Sequence, residues 1–109
     1  PYYGVFVENI NFETYADGTE PDSKNHISKV DGTIENSMLK YDVEYRTDIA
    51  NAKFYVAVYD DRGNVVAISD KNRDNINIKN ESKSYTIKAV LWNRNLKPLC
   101  NVESKTVER

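Results

Sequence analysis

From Leu39 to Arg46 the chain alternates. Leu39, Tyr41, Val43 and Tyr45 are apolar or aromatic, while Lys40, Asp42, Glu44 and Arg46 are charged. Successive side chains of a strand point to opposite faces, so this spacing predicts a strand with one buried and one solvated face. Phe54, Val56 and Val58 alternate with Tyr55, Ala57 and Tyr59. Both faces of that run are apolar, which predicts a central strand. Asp60-Asp61-Arg62-Gly63-Asn64 follows, and Gly63 accepts a positive φ, so a tight hairpin turn is predicted before a return strand at Val65, Val66, Ala67 and Ile68. Tyr85, Ile87, Ala89 and Leu91 alternate with Thr86, Lys88, Val90 and Trp92, a third strong strand.

Weaker signals fill the gaps. Ile76 and Ile78, between Asn75, Asn77 and Lys79, predict a short strand. Segments Tyr3 to Phe12, His26 to Ile34 and residues 98 to 107 each predict another, the last closing a sheet edge after Pro98. Residues 13–25 contain Asp17-Gly18-Thr19-Glu20-Pro21-Asp22-Ser23 and predict a long exposed loop. Seven or eight short strands separated by turns, with no helical stripe, predict one all-β domain over residues 1–109, a two-sheet antiparallel sandwich. A chain that begins at Pro1 rather than Met reads as a fragment of a longer protein.

Ala57-Val58-Tyr59-Asp60-Asp61-Arg62-Gly63-Asn64-Val65-Val66, then Tyr85-Thr86-Ile87-Lys88-Ala89-Val90-Leu91-Trp92, then Leu96-Lys97-Pro98-Leu99-Cys100 resemble a small module of clostridial and related Gram-positive secreted or cell-surface multidomain proteins. The resemblance spans about residues 38 to 100. Val65-Val66 stands where those modules favour Leu, and Val90 where they favour Phe or Met. It implies an immunoglobulin-like or fibronectin type III-like sandwich. It also implies an extracellular or cell-surface accessory domain whose partners are the neighbouring domains of its parent chain. In the physical reading, Trp92 points away from the Leu91 face, beside Val90. Pro98 stops strand pairing, and Leu99 tucks under the sheet edge, so the motif is a corner rather than a ligand site.

Composition narrows the function. Hydrophobic residues at 39% and charged residues at 29% describe a globular chain. A net charge of −2 gives no electrostatic reason to expect nucleic acid or an anionic membrane, and no apolar run reaches membrane-helix length. Cys100 is alone, which excludes an internal disulfide and a thiolate metal cluster; it reads as a small core or edge residue. His26, the one histidine, has no evident nucleophile partner and reads as a surface or loop residue. A paired-carboxylate site needs a deep cleft that a small sandwich rarely supplies, so the chain is read as non-catalytic.

Two ligand patterns remain. Asp70, Asn72 and Asp74 fall at positions 1, 3 and 5 of a twelve-residue loop and Glu81 at position 12, the spacing of a calcium loop. Position 6 is Asn75 rather than Gly, and strands flank the loop. Asp and Asn also favour ordinary turns. Eight Tyr, three Phe and one Trp supply rings that could stack on a polysaccharide, with Tyr55 and Trp92 as candidate platform residues. Tyr is also a preferred strand residue, which accounts for most of them without a ligand. The favoured reading is a spacer or interaction module, with no nucleic acid and no membrane insertion. The alternative is a carbohydrate-binding module, with or without calcium at 70–81.

Overall fold

The computed structural model describes residues 24–78 and 82–109. Seven strands run in the order β1 (His26–Glu35), β2 (Met38–Arg46), β3 (Lys53–Tyr59), β4 (Val65–Ser69), β5 (Arg73–Asn77), β6 (Ser84–Trp92) and β7 (Glu103–Glu108). They form two antiparallel sheets, β1-β2-β5 and β4-β3-β6-β7. The antiparallel β-sandwich read from the alternation is thus the observed fold. The expected strand over Tyr3 to Phe12 and residues 13–23 of the expected loop lie outside the described residues. Of that loop's last two residues, Lys24 is exposed, but Asn25 is buried and its side chain bonds both Thr47 and Asp48.

The alternation explains the core. Leu39, Tyr41 and Val43 face Phe54, Val56 and Val58 and Tyr85, Ile87, Ala89 and Leu91 across the sandwich, joined by Ile27, Ala67, Ile78 and Val107. Gly32, opposite Tyr41 in the β1–β2 ladder, lets the sheets close. A Cβ there would clash with Ile87 Cδ1 and press on Val107 Cγ2 and the Lys40 carbonyl, each at 3.2 Å. The Tyr41 hydroxyl crosses the core edge and donates to the Lys71 carbonyl at 2.6 Å, so the one polar atom of this ring is satisfied. Burial pushes its pKa up to about 12.

Turn chemistry sets the registers. Asn36 (φ 58°) and Ser37 make a two-residue hairpin between β1 and β2, the left-handed conformation that Asn tolerates. Between β3 and β4, Gly63 has φ 84°, as its place in the sequence predicts. There the Asp60 carboxylate accepts the backbone N–H groups of Arg62 and Asn64, both at 2.9 Å, which ties the turn and holds its pKa below the usual carboxylate range.

The strands define two poles. Arg46 ends β2 and Lys53 begins β3, which pairs with Trp92 at the end of β6. The loops 47–52 and 93–102 and the start of β1, where His26 pairs with Arg46, therefore share the first pole. The β1–β2 and β3–β4 turns, the start of β6 and the end of β7 share the second, where Ser84 pairs with Glu108. The chain thus enters β1 at one pole and leaves β7 at the other. Principal extents are 37 × 26 × 22 Å.

Candidate functional site

The aromatic candidates lie on the outer face of the four-stranded sheet. Even positions of β6 and odd positions of β3 point there, so Val90 and Trp92 meet Ala57, with Tyr55, Tyr59, Ile68 and Val102 around them. Trp92 is beside Val90, as the motif implies. It is only 2% exposed, and the half-buried Tyr55 ring packs against it at 5.6 Å with a 51° tilt. Of the two candidate platform residues, Trp92 is thus covered and Tyr55 is half-buried. Lys88 extends over the Tyr59 ring, 4.8 Å from its centre. Burial lowers the Lys88 pKa and raises that of Tyr59.

The calcium candidates fall on a turn and a strand. Asp70 and Asn72 lie in the turn after β4, but Arg73–Asn77 is extended and pairs with Met38–Asp42. Ligands at loop positions 1, 3 and 5 must curl around one point, whereas Asp74 stands in an extended, paired strand and Asp70 and Asn72 in the turn before it. Asp74 takes the register position opposite Tyr41; its carboxylate accepts the Asn75 N–H at 2.8 Å and approaches the Ser69 hydroxyl at 3.5 Å. The Asn72 side-chain amide donates to the Val43 carbonyl. Glu81 lies outside the described residues. Among the described residues no three His, Cys, Asp or Glu side chains gather as a metal site.

His26 is half-buried at the start of β1. Cys100 is half-buried, and burial pushes its thiol up to about 11, the state of an unreactive cysteine. The outer face of the three-stranded sheet carries ion pairs: Arg73 to Asp42 at 2.7 Å and Lys29 to Asp42 at 3.6 Å. The Arg73 hydrogen bond leads in holding the Asp42 carboxyl low. A shallow open depression of about 450 Å³ near the second pole is lined by Ser82, Lys83, Ser84, Glu108 and Arg109.

The corner at Trp92 and Pro98 belongs to the first pole. The corner motif holds, with one difference. Pro98 does not stop pairing; it forms a bridge with Trp92, and the Leu99 N–H then donates to the Leu91 carbonyl at 2.9 Å. A bridge of this kind tolerates a residue without an N–H. Before it, Asn93 organises a tight turn. Its side-chain oxygen accepts the N–H groups of Asn95 and Lys97, and its carbonyl accepts that of Leu96. Leu96 is left 43% exposed with φ 64°. The available signal was a lone Leu in the polar run Asn93-Arg94-Asn95-Leu96-Lys97.

No protein-family model matches the chain, and comparison with curated proteins finds no relative. No helix among the described residues is long and apolar enough to cross a membrane.

Proposed function

We propose that this chain is a non-catalytic accessory module that spaces and presents neighbouring domains of a secreted or cell-surface multidomain protein of a Gram-positive bacterium. The observation that carries the reading is the placement of the two chain ends of the described sandwich at opposite poles of a domain 37 Å long. Packed sheets hold such a separation fixed, because core side chains interdigitate at crystal-like density. The strand order supports the immunoglobulin-like, fibronectin type III-like part of the reading. β1-β2-β5 and β3-β6-β7 follow the A-B-E and C-F-G order of such sandwiches, with β4 added beside β3. Tyr85, fully buried near the start of β6, occupies the place of the tyrosine that marks strand F in that architecture.

Thermal unfolding of the chain with millimolar calcium, and with a panel of plant and bacterial-wall polysaccharides, tests the reading. A ligand that binds only the folded state raises the midpoint. An unchanged midpoint throughout is expected. A rise with one polysaccharide overturns the spacer reading in favour of a carbohydrate-binding module, and a rise with calcium that Asp74→Ala abolishes makes the turn after β4 a metal site.

A further inference from the structure

Each sheet of the sandwich ends in two strands with a single neighbour among the described residues: β1 and β5 in one, β4 and β7 in the other. The free edge of such a strand offers unpaired N–H and C=O groups to another strand. β4 is five residues long and shifts register at Tyr59. β7 carries Lys105 opposite the core residue Ile87, hence on the inward side, with Glu103 and Glu108 in the same strand. Shortness, a bulge and an inward charge each discourage pairing. β1 is different. It is ten residues long, and beyond its bulge it runs evenly from Lys29 to Glu35.

The ladder fixes which N–H groups of this sheet face out. Glu35 and Met38 flank the two-residue turn, so they exchange hydrogen bonds, and every second pair back from them does the same. Val30, Gly32 and Ile34 therefore turn their N–H groups away from β2. The phase is checked at Val43, opposite Val30, whose own N–H points to the other side of β2 and reaches the Asn72 carbonyl at 2.8 Å. Asp74 and Ile76 thus bond β2, while Arg73, Asn75 and Asn77 face out. In the middle of each free edge, an aspartate covers the outward N–H of the next residue. Asp31 accepts from Gly32, and Asp74 from Asn75, both at 2.8 Å. Asp74 also lies opposite Tyr41, on the inward side, where its second oxygen approaches the Ser69 hydroxyl at 3.5 Å.

We propose that Asp31 and Asp74 are edge guards: their carboxylates occupy the central outward N–H of β1 and of β5 and keep a second copy of this chain from adding its strand there. This goes beyond the spacer reading and does not rest on it. The test is sedimentation velocity of the full chain over a range of concentrations, with unfolding midpoints measured alongside so that association is read from folded protein. The unaltered chain is expected to be monomeric. Asp31→Ala should lower the dimer dissociation constant roughly tenfold, about the worth of one hydrogen bond to a charged group. In that dimer the Val30, Gly32 and Ile34 amides should gain protection from hydrogen exchange, which locates the contact on β1. Asp74→Ala should do the same at Arg73, Asn75 and Asn77. Asp31→Asn keeps an oxygen over the Gly32 N–H and should associate no more than the unaltered chain. Glu44→Ala, on the central strand β2, makes the same charge change and opens no edge, so it too should stay monomeric. Ala variants of Asp31 and Asp74 that both remain monomeric overturn the proposal, and so does association that leaves the outward amides exchanging freely. Association by Glu44→Ala or Asp31→Asn as strong as by Asp31→Ala overturns it in favour of charge repulsion alone.

Discussion

The three-stranded sheet carries one apolar and one charged face, whereas the four-stranded sheet adds to its apolar inner face a second apolar cluster on the outer one, around Ala57, Val90 and Trp92. In β2 the division follows the alternation: Leu39, Tyr41 and Val43 are buried, and Lys40 and Glu44 are exposed. In β3 and β6 it does not, because Ala57, Val90 and Trp92 are as buried on the outer face as Val56 and Leu91 are on the inner one. An alternating strand announces which face is wet; a strand apolar on both faces announces only that both are covered.

Adjacent residues of β6 test that difference most sharply. Leu91→Ala and Trp92→Ala empty the inner and outer faces in turn, and each should destabilise by about 3–5 kcal/mol in denaturant titration. A much smaller loss for Trp92→Ala would make the outer face a wet surface and remove the contrast between the sheets.

The inner face of the three-stranded sheet gives the next effect, through pH. Tyr41 ionises near 10 when unfolded and at about 12 when folded. Its folded-state pKa is raised, so its contribution is full below pH 10 and is lost as pH rises from 10 through 12, amounting to at most about 2–3 kcal/mol. Tyr41→Phe should flatten the fall in unfolding midpoint over that window. Gly32→Ala comes after it: the added methyl meets Ile87 and should cost about 1–3 kcal/mol, with Ile87→Val recovering part of the loss. Smallest is the charged outer face. Asp42→Ala removes both ion pairs, yet it should move the midpoint less than Gly32→Ala does, and the change should vanish in high salt.

Legibility in the sequence followed the same contrast. β2, β3 and β6 were readable because period-two patterns run through them, and the β3–β4 turn because Gly63 punctuates it. β1 was read as a short strand and is a ten-residue edge. Its signal is broken by Gly32, which leaves no side chain to count, and by the bulge between Ile27 and Lys29 that shifts the inward phase. β7 buries only Val107 at an exposed edge, so its pattern is faint. The surroundings of the ligand candidates are set by tertiary structure. Whether Trp92 is covered, and whether residues 73–77 curl or extend, depends on neighbours that are distant in the chain. Leu96 was absorbed into a structural motif because its backbone conformation is set by the Asn93 hydrogen bonds, which no residue pattern spells out.

The opposite placement of β1 and β7 also bears on force. β1 is pulled from its first-pole end and β7 from its second-pole end, each along its own strand axis. Among the described residues each is an edge strand with one hydrogen-bonded neighbour, β2 or β6. Tension across the poles therefore loads both ladders in shear, so the bonds from Ile27 to Glu35 and from Ser84 to Ala89 bear it together rather than unzipping one at a time. Anchored at one end and pulled at the other, the module would yield abruptly rather than by gradual lengthening.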